Sequence, residues 1–233
     1  MDTIQPLKLL EDSAALSNPK MCEEPAATGE VSVHLTSDSI HDLAGPINQI
    51  GSLTDLIVKK YGSSLDKDAH ALFCYLPSSA DRLQDLLAGM HRYMHVAGSP
   101  GAYLCCDGNA LLADALGMLQ YSITESGALI THDPLPELCC DASQVRCALA
   151  NLIENSIKFR GERTPEIHVS AILTEVLCVL SVRDNGLGID PRYADRIFRT
   201  FKRIHNDVYP GAGVGLAVVK HVAVRHGGRV WVE

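Results

Sequence analysis

Two long stretches of helical apolar spacing occupy much of the first hundred residues. Within 31–60, apolar residues recur at intervals of three, four and seven, and a second run with intervals of four and three covers 66–95. This spacing predicts two helices, each with one apolar stripe, joined by a break at 61–64. A hairpin of two helices cannot cover both stripes by itself. We therefore expect it to pair with a second copy into a dimeric four-helix bundle.

The pattern changes at 97–101, Ala-Gly-Ser-Pro-Gly, which predicts a domain boundary with a linker at 98–101. Beyond it the sequence predicts strands at 102–106, 128–132, 167–172, 176–182 and 229–232, and helices at 109–119, 144–159 and 216–226. Strands and helices that do not alternate steadily indicate an α+β sandwich, with helices on one face of a sheet. We thus expect a helical hairpin over 31–97 and an α+β domain over 102–233. Residues 1–30 carry no recognisable chemistry and are predicted to form a loosely ordered leader.

Charge and composition narrow the function classes. The chain has 233 residues and a net charge of −8, which argues against a general nucleic-acid-binding protein. It has no apolar run of about 18 residues and no evident signal peptide, so we expect a cytoplasmic protein. Its eight cysteines include the adjacent pairs Cys105-Cys106 and Cys139-Cys140, but no C-x-x-C. Reduced thiols are expected rather than a zinc site or a disulfide framework.

The first predicted helix carries a histidine with an acidic neighbour. His41 precedes Asp42, and Pro46 lies about one helical turn further on. Imidazole is a good nucleophile near neutral pH, and an adjacent carboxylate can hold its tautomer and take its proton. Proline inside a helix costs about 3 kcal/mol, so Pro46 predicts a kink. Taken alone, the same pattern also describes a histidine on the surface of an amphipathic helix.

The helix predicted at 144–159 has a polar face with one repeated residue type. Asn151 and Asn155 are four residues apart, so both amides project from one side of the helix, and Lys158 lies on that side. Two amide carbonyls and a lysine suit a hydrated Mg²⁺ ion and the phosphates that it carries. The alternative from these residues alone is an ordinary solvated helix face.

A carboxylate and two glycines follow the strand predicted at 176–182. Asp184 can accept a hydrogen bond from an exocyclic amine, while Gly186 and Gly188 let the backbone approach a planar ring. A D-x-G-x-G sequence is also ordinary turn chemistry.

Two further stretches complete the set. Residues 196–203 contain four cations with Phe198 and Phe201 as expected anchors, or else form a solvated helix face. The glycine-rich segment 211–215 opens the last predicted helix, where free N–H groups and the helix dipole favour phosphate.

In this order, the four stretches resemble the asparagine, first glycine, phenylalanine and second glycine boxes of sensor histidine kinases. They read NLIENSIKF, DNGLGID, IFRTFKRIH and GAGVGLAVVKHVAVRHGGRVWVE, and HDLAGPI resembles the phosphoacceptor box of the same family. The likeness is greatest to phytochrome-type and related kinases and extends from about residue 31 to the end. It implies an ATP-binding domain of the histidine kinase, gyrase and chaperone ATPase type behind the dimerisation hairpin.

The resemblance implies a protein-histidine kinase that uses ATP and Mg²⁺ in two-component signalling. His41 would receive the γ-phosphoryl group, with Asp42 as its proton acceptor, and a response-regulator receiver domain would take the group onto an aspartate. Asn155 would coordinate Mg²⁺ with support from Asn151, Lys158 would steady the phosphates, and Asp184 would bind the adenine amino group. The other implied nucleotide-binding residues are Gly186, Gly188, Arg203 of a mobile lid at about 193–210, Gly211, Gly213, Gly215 and Leu216.

Two alternatives remain at the level of sequence. A hydrolytic ATPase of the gyrase or chaperone kind carries a glutamate one turn before the metal-binding asparagine, but here that position is Asn151. Glu154 points about 100° away from Asn155 around the helix. The second alternative is a degenerate kinase-like scaffold or phosphotransfer protein that dimerises and presents His41 without efficient phosphorylation by ATP. Ala44 and Gly45 depart from the acceptor box, and Gly45 predicts weak phosphatase activity because glycine cannot orient a water.

Both ends of the chain carry an expectation from the family pattern. Family members usually continue after the equivalent of Glu233 with a turn and one more strand, so the sequence predicts an unpaired edge in the sheet. A sensor domain is expected upstream or on a separate protein.

Overall fold

The structure, a computed structural model, describes residues 3–10, 37–98, 102–174, 177–202, 209 and 211–233; for 3–10, 37–42, 70 and 71 the description concerns the backbone. The helices are α1 (Ser37–Tyr61), α2 (Lys67–Gly98), α3 (Gly108–Met118), α4 (Gln120–Ser126), α5 (Ala142–Lys158) and α6 (Gly215–Arg225). The strands are β1 (Thr3–Leu10), β2 (Leu104–Asp107), β3 (Leu129–His132), β4 (Glu137–Cys140), β5 (Glu166–Leu173), β6 (Leu177–Asp184) and β7 (Arg229–Val230). Short 3₁₀ turns cover Gly62–Ser64 and Pro191–Tyr193.

The predicted hairpin is present as α1 and α2, which pack along each other and are joined through Gly62–Ser64. Gln84 Nε2 donates to Asn48 Oδ1 across the pair at 2.6 Å. Asp66 caps the start of α2 by accepting from the Ala69 backbone N–H at 2.7 Å. Pro46 lies inside α1, and the helix continues past it to Tyr61.

Pairing of α1 with α2 leaves much of the apolar stripe uncovered. The large apolar side chains of the hairpin that stay exposed are Leu43, Ile50, Leu53, Leu56, Tyr61, Leu72, Tyr75, Leu76 and Leu83. Only small or polar side chains, such as Thr54 and Ala80, are buried in its middle. The described hairpin therefore has no large apolar core of its own.

The second region is the predicted α+β sandwich. Its main sheet has five strands in the order β3-β5-β6-β1-β7, and β5 and β6 pair antiparallel as the sequence predicts. Strand β3 runs parallel to β5, while β2 and β4 form a separate two-stranded ribbon. Alternate residues of the central strands, such as Val169 and Leu180, are buried on one face. That face lies against the helical layer, in agreement with the predicted architecture.

Helix α5 forms the centre of the sandwich because its apolar positions recur at helical spacing. Val145, Leu149, Leu152 and Ile153 are each 1% exposed or less. The helix begins at Asp141, whose carboxylate accepts from the backbone N–H groups of the first turn, and it packs against α3 and α6. This rigid packing fixes the direction of the polar face that carries the asparagines.

Strand β1 corrects the expectation for the first ten residues of the chain. Thr3–Leu10, predicted as part of a loosely ordered leader, pair antiparallel with β6 over their whole length and with β7 at Leu7 and Lys8. The N-terminal segment therefore covers the side of β6 that faces away from β5. Pro6 cannot donate to a sheet, but it lies beyond the part of β1 that pairs with β7.

The hairpin and the sandwich meet along the C-terminal half of α2. The rings of Tyr93 and His221 lie 5.6 Å apart in an edge arrangement. Arg225 Nη1 donates to the Ala97 carbonyl at 3.1 Å, and Tyr103 Oη donates to the Arg225 carbonyl at 2.8 Å. Contacts to α6 thus hold both sides of the linker in place. Among the helices in the described ranges, none is long and apolar enough to cross a bilayer.

Candidate nucleotide site

The two asparagines of α5 lie side by side against the first turn of α6. Asn151 Nδ2 donates to the Cys147 carbonyl at 2.8 Å, which orients its amide and leaves Oδ1 on the other side. A Cβ atom on Gly215 would lie 2.8 Å from Asn151 Oδ1 and 3.7 Å from Asn155 Nδ2. A residue larger than glycine at position 215 would therefore press on the Asn151 amide, and its Cβ would be in ordinary contact with the Asn155 amide.

The amide of Asn155 fits a ligand that the described chain does not provide. Its Nδ2 atom is buried and has no hydrogen-bond partner among the described residues. A buried polar atom left unpaired costs about 1–3 kcal/mol, which is tolerated where a bound group completes the bonding. The two ends of an asparagine amide exchange by a simple flip, so the same position can present Oδ1 to a cation. Oxygen is the donor that Mg²⁺ requires, and the site fits that ion.

Lys158 brings a positive charge to the glycine-rich segment. A Cβ on Gly211 would lie 2.6 Å from Lys158 Nζ, and Gly211 has a φ of 128°, which a residue with a side chain rarely adopts. The positive φ favours glycine at this position, whereas the flexible Lys158 side chain could move away from a Cβ. The same ammonium lies 5.1 Å from the centroid of the Phe159 ring. The structure thus brings the predicted phosphate-binding lysine to the segment that was predicted to bind phosphate.

Asp184 ends β6 as a buried, oriented acceptor, with 7% of its surface exposed. Ser156 Oγ donates to Oδ2 at 2.8 Å, and the Gly186 backbone N–H donates to Oδ1 at 2.9 Å. Each carboxylate oxygen keeps a free lone pair for another donor. A Cβ on Gly186 would lie 2.8 Å from the Phe159 carbonyl, so the turn is held close to the end of α5.

Ser156 was not singled out from the sequence, although its hydroxyl orients Asp184, the predicted adenine acceptor. Ser156 is buried and follows Asn155 directly, on the side of α5 that otherwise carries apolar residues. A hydroxyl inside an apolar helical face is a weak sequence signal for a buried polar contact. Its partner Asp184 is 28 positions away, a distance that helical spacing cannot bridge.

The N-terminus of α6 is open to an anion. Gly215 is its first residue, and the preceding Val214 provides no side-chain cap for the free N–H groups of the first turn. Leu216, the second residue, belongs to the same turn, and Gly213 has a φ of 67°. Unpaired N–H groups and the helix dipole together favour phosphate at such a position. Gly188 also has a positive φ, 74°, in the loop that follows Asp184.

The basic segment at 196–203 agrees with the sequence in part. Ile197 and Phe198 are buried, so Phe198 is an anchor as predicted. Phe201 was predicted to be a second anchor, but it is 47% exposed and has a φ of 61°. Its backbone N–H donates to the Gly213 carbonyl at 3.0 Å, so its backbone rather than its ring connects this segment to the glycines. Arg203 lies outside the described residues.

The N-terminal part of α1, next to His41, lies near the glycine-rich segment. Leu43, Ile47 and Met90 of the hairpin line a cleft whose other wall includes Phe201, Gly211 and Ala212. His41 and Asp42 are in α1, directly before Leu43, and their side chains are outside the described atoms. Ala44 and Gly45 follow in the same helix, and a Cβ on Gly45 would meet nothing within 4 Å.

The α+β sandwich behind the helical hairpin has the features of an ATPase-type nucleotide domain. These features are the paired asparagines, the carboxylate at a strand end and the uncapped, glycine-rich start of a helix. Residues 140–233 match the family described as histidine kinase-, DNA gyrase B- and HSP90-like ATPases. Cyanobacterial phytochrome A of Nostoc sp. is 41% identical over 194 residues, which are 83% of this chain and 25% of that protein. Phytochrome-like protein Cph1 of Synechocystis sp. is 34% identical over 194 residues, 83% of this chain and 26% of that protein.

A solved structure, full-length ShkA in complex with AMPPNP, shares the fold with a TM-score of 0.54 at 22% identity, over 83% of this chain and 43% of that one. The resemblance that the motifs indicated is confirmed: residues 140–233 match the histidine kinase-type ATPase family, and the chain is similar to phytochromes over 83% of its length. It spans about a quarter of the length of the two phytochromes that it matches.

Proposed function

We propose that this chain is the core of a protein-histidine kinase that phosphorylates His41 with ATP and then passes the phosphoryl group to an aspartate of a response-regulator receiver domain. The observation that carries the proposal is the convergence of Asn151, Asn155 and Lys158 on the glycine-rich start of α6. The acceptor helix α1 shares a cleft with the same segment. We further propose a division into a dimerising acceptor hairpin, 31–97, a linker, 98–101, and an ATP-binding domain from 102.

Adenine recognition would depend on Asp184. Its carboxylate accepts an N–H of the exocyclic amine, and the bonds from Ser156 and Gly186 hold both oxygens in one orientation. An oriented acceptor loses little entropy when the base binds. Gly186 and Gly188 would let the backbone lie close to the plane of the base.

The phosphates would lie over the start of α6. The phosphates would be bound and oriented by Lys158, by the N–H groups around Gly215 and Leu216, and by the segment with Gly211 and Gly213. We also assign Arg203 to this function from the family pattern. Asn155 would hold Mg²⁺ by its amide oxygen, with Asn151 packed beside it. A bound Mg²⁺ supplies neutralisation of phosphate charge, which phosphoryl transfer needs because it depends mainly on positioning and electrostatics.

Transfer would take place at a ring nitrogen of His41. That nitrogen forms a bond to the γ-phosphorus as the bond to the bridging oxygen breaks, and Asp42 accepts the proton from the other ring nitrogen. A water-activating carboxylate is not present one turn before Asn155, since Asn151 occupies that position and bonds back to Cys147. Glu154 is exposed on another side of α5. These features favour kinase over hydrolase chemistry.

A homodimer through the hairpin completes the proposal. The exposed leucines of α1 and α2 form an apolar surface on the described hairpin that a second copy would cover as a four-helix bundle. Gly45, next to Pro46 and with open space around it, provides no group to orient a water. We therefore expect weak or absent dephosphorylation of the receiver domain.

The test is incubation of the chain with γ-labelled ATP and Mg²⁺. We expect acid-labile, alkali-stable label that is lost in His41→Gln and in Asn155→Asp, while His41→Gln still binds nucleotide. His132→Gln is the matched control, because His132 is exposed on β3 and should keep its label. Nucleotide binding without label in the native chain would instead support the phosphorylation-deficient scaffold, and label retained in His41→Gln would refute the assigned acceptor.

A further inference from the structure

The two adjacent cysteine pairs lie on the β2–β4 ribbon, away from the nucleotide site. Cys105 of β2 is directly opposite Cys139 of β4, whereas Cys106 is opposite Leu138 and Cys140 is opposite Leu104. Side chains alternate between the two faces of a ribbon. Cys105 and Cys139 therefore share one face, and none of the seven described cysteines is part of a disulfide.

The geometry of opposite strand positions suits a disulfide. Directly opposed residues of an antiparallel pair have Cα atoms about 4.5–5.5 Å apart. A disulfide requires a Cα separation of about 4.4–6.8 Å, so directly opposed positions such as Cys105 and Cys139 meet this backbone requirement. The two thiols are also close enough to interact electrostatically.

Exposure separates this pair from the other two thiols of the ribbon. Cys105 is exposed and Cys139 is half-buried, so small oxidants can reach them. Cys140 is fully buried, and burial raises the pKa of its thiol to about 12. A thiol with such a pKa has almost no thiolate at neutral pH and reacts slowly. Cys106 Sγ donates to the Leu104 carbonyl at 3.4 Å and has no cysteine opposite to it.

We propose that Cys105 and Cys139 form a redox-responsive dithiol that a peroxide oxidises to a cross-strand disulfide. In the first step, one thiolate attacks a peroxide oxygen, the O–O bond breaks and hydroxide leaves. The sulfur becomes a sulfenic acid, and the hydroxide takes up the proton that the thiol had released and becomes water. In the second step, the other thiol attacks that sulfur, forms the S–S bond and releases a second water. Two thiols are thus oxidised by two electrons while one peroxide is reduced.

The position of the pair gives the oxidation a structural consequence. Strand β2 follows the linker from the hairpin, and β4 ends one residue before Asp141, the N-cap of α5. A bond between Cys105 and Cys139 would close a covalent loop that joins these two segments. Cross-links of this kind stabilise chiefly by restricting the unfolded chain. The oxidised chain is therefore expected to melt at a higher temperature than the reduced chain.

Glu137 controls how readily the pair reacts. Cys105 Sγ donates to Glu137 Oε2 at 3.5 Å, and this hydrogen bond together with the carboxylate charge raises the pKa of the Cys105 thiol. The thiol form is thus favoured at neutral pH. Glu137→Gln removes the charge and keeps a similar shape, so it should increase the thiolate fraction and the rate of oxidation.

The test treats the full chain with excess hydrogen peroxide and counts free thiols before and after. We expect a loss of two thiols, an intramolecular disulfide between Cys105 and Cys139 in peptide mass spectra, a higher melting temperature, and reversal of all three by dithiothreitol. The Cys106→Ser background separates the adjacent cysteines in the peptide map. Cys105→Ser and Cys139→Ala should each abolish the bond, while Cys74→Ser, at an exposed position of α2, should keep it.

Three results would overturn the proposal. They are a disulfide that persists in Cys105→Ser, an oxidised chain linked only between molecules, or thiols that stop at sulfinic acid without a cross-link. An oxidation rate in Glu137→Gln that is no faster than in the native chain at pH 7 would remove the control assigned to Glu137. None of these results depends on nucleotide binding or on phosphorylation of His41.

Discussion

The hairpin and the sandwich differ in how much of their large apolar side chains they bury. In the sandwich, large side chains of α5, β5 and β6 such as Leu152, Ile167 and Leu180 are 2% exposed or less. In the described hairpin, leucines of similar size such as Leu53 and Leu72 are 50% and 68% exposed. The sandwich has a core that can hold it folded by itself. We expect the stability of the hairpin to depend on assembly, so His41, the proposed acceptor, is in the part that assembly can change.

The largest expected effect is from Leu152→Ala in the sandwich. Leu152 is completely buried, and removing its side chain should lower the free energy of unfolding by about 2–5 kcal/mol. Urea denaturation at several protein concentrations measures it, and the loss should not depend on concentration. A loss below about 1 kcal/mol would mean that the α5 core can collapse around the gap, which would weaken the contrast between the two regions.

Leu72→Ala is the matched change in the hairpin. Because Leu72 is 68% exposed, the isolated chain should lose little, within about 0.5 kcal/mol. The dimer should be weakened by about 1.5–3 kcal/mol, the value of burying one leucine, if a second copy covers it. Sedimentation equilibrium measures the dissociation constant. An unchanged constant would show that the dimer, if formed, does not use this part of α2.

Ser156→Ala tests the nucleotide site inside the stable region. It removes the donor that holds Asp184, and hydrogen bonds to charged groups are worth about 1.5–3 kcal/mol. We expect ATP affinity to fall about tenfold or more, measured by calorimetry. Ser143→Ala is the control, since Ser143 Oγ donates at 2.6 Å to another aspartate, Asp141, at the far end of α5. Equal losses of affinity in both variants would indicate a general effect on the helix.

A pair of glycines tests the junction between the two regions. A Cβ on Gly89 of α2 would lie 2.5 Å from the Ala212 Cβ, whereas one on Gly51 of α1 would meet nothing within 4 Å. Gly89→Ala should thus disturb the docking of α2 on the glycine-rich segment by about 1–3 kcal/mol, as overpacking does. Gly51→Ala should stabilise α1 by up to about 1 kcal/mol. Limited proteolysis near the linker and thermal melts measure both, and equal behaviour would show that α2 does not dock there in solution.

Sequence periodicity predicted the helices and strands that bury one face of a continuous stretch of chain. Helices α1, α2, α5 and α6 each have an apolar stripe at helical spacing, and β5 and β6 alternate, so all six were predicted within a few residues. Asn151, Asn155 and Lys158 were found for the same reason, because helix geometry alone places them together. An element that pairs only with distant partners was missed at the N-terminus. Strand β1 pairs with β6, which is more than 160 positions away, and its Pro6 resembles a loop residue.

In the candidate site, too, contacts between side chains of distant segments could not be predicted from the sequence. The bond from Ser156 to Asp184 and the exposed ring of Phe201 depend on how separate segments pack, which spacing along one helix does not encode. The short strand β4 was missed because it has only four residues after Pro134 and Pro136, which signal a turn. Yet β4 places Cys139 opposite Cys105, so one of the less predictable elements creates the dithiol.

The smallest expected effect is a pH dependence of stability that comes from the sandwich. His226 is buried, its Nδ1 bonds the Val222 carbonyl at 2.8 Å, and its Nε2 accepts the Asp141 backbone N–H at 3.1 Å. The Nε2 bond holds only for the neutral ring, whereas the Nδ1 bond to Val222 survives protonation, and burial lowers the pKa of His226 below its usual 6.5. The unfolded chain then binds a proton more readily than the folded chain. Stability should therefore be constant above about pH 6.5 and decrease as the pH falls below it.

His221, whose pKa burial also lowers, adds to the same trend from the face of α6 that contacts Tyr93 of the hairpin. Urea denaturation between about pH 5 and 7.5 measures the slope, and His226→Gln should reduce it while His221→Gln removes the rest. Because Tyr93 covers His221, the His221 part should vanish if α2 undocks, as expected in Gly89→Ala. A slope that Gly89→Ala leaves unchanged would show that the sandwich buries His221 without the hairpin, and that the two regions are more independent than their contact indicates.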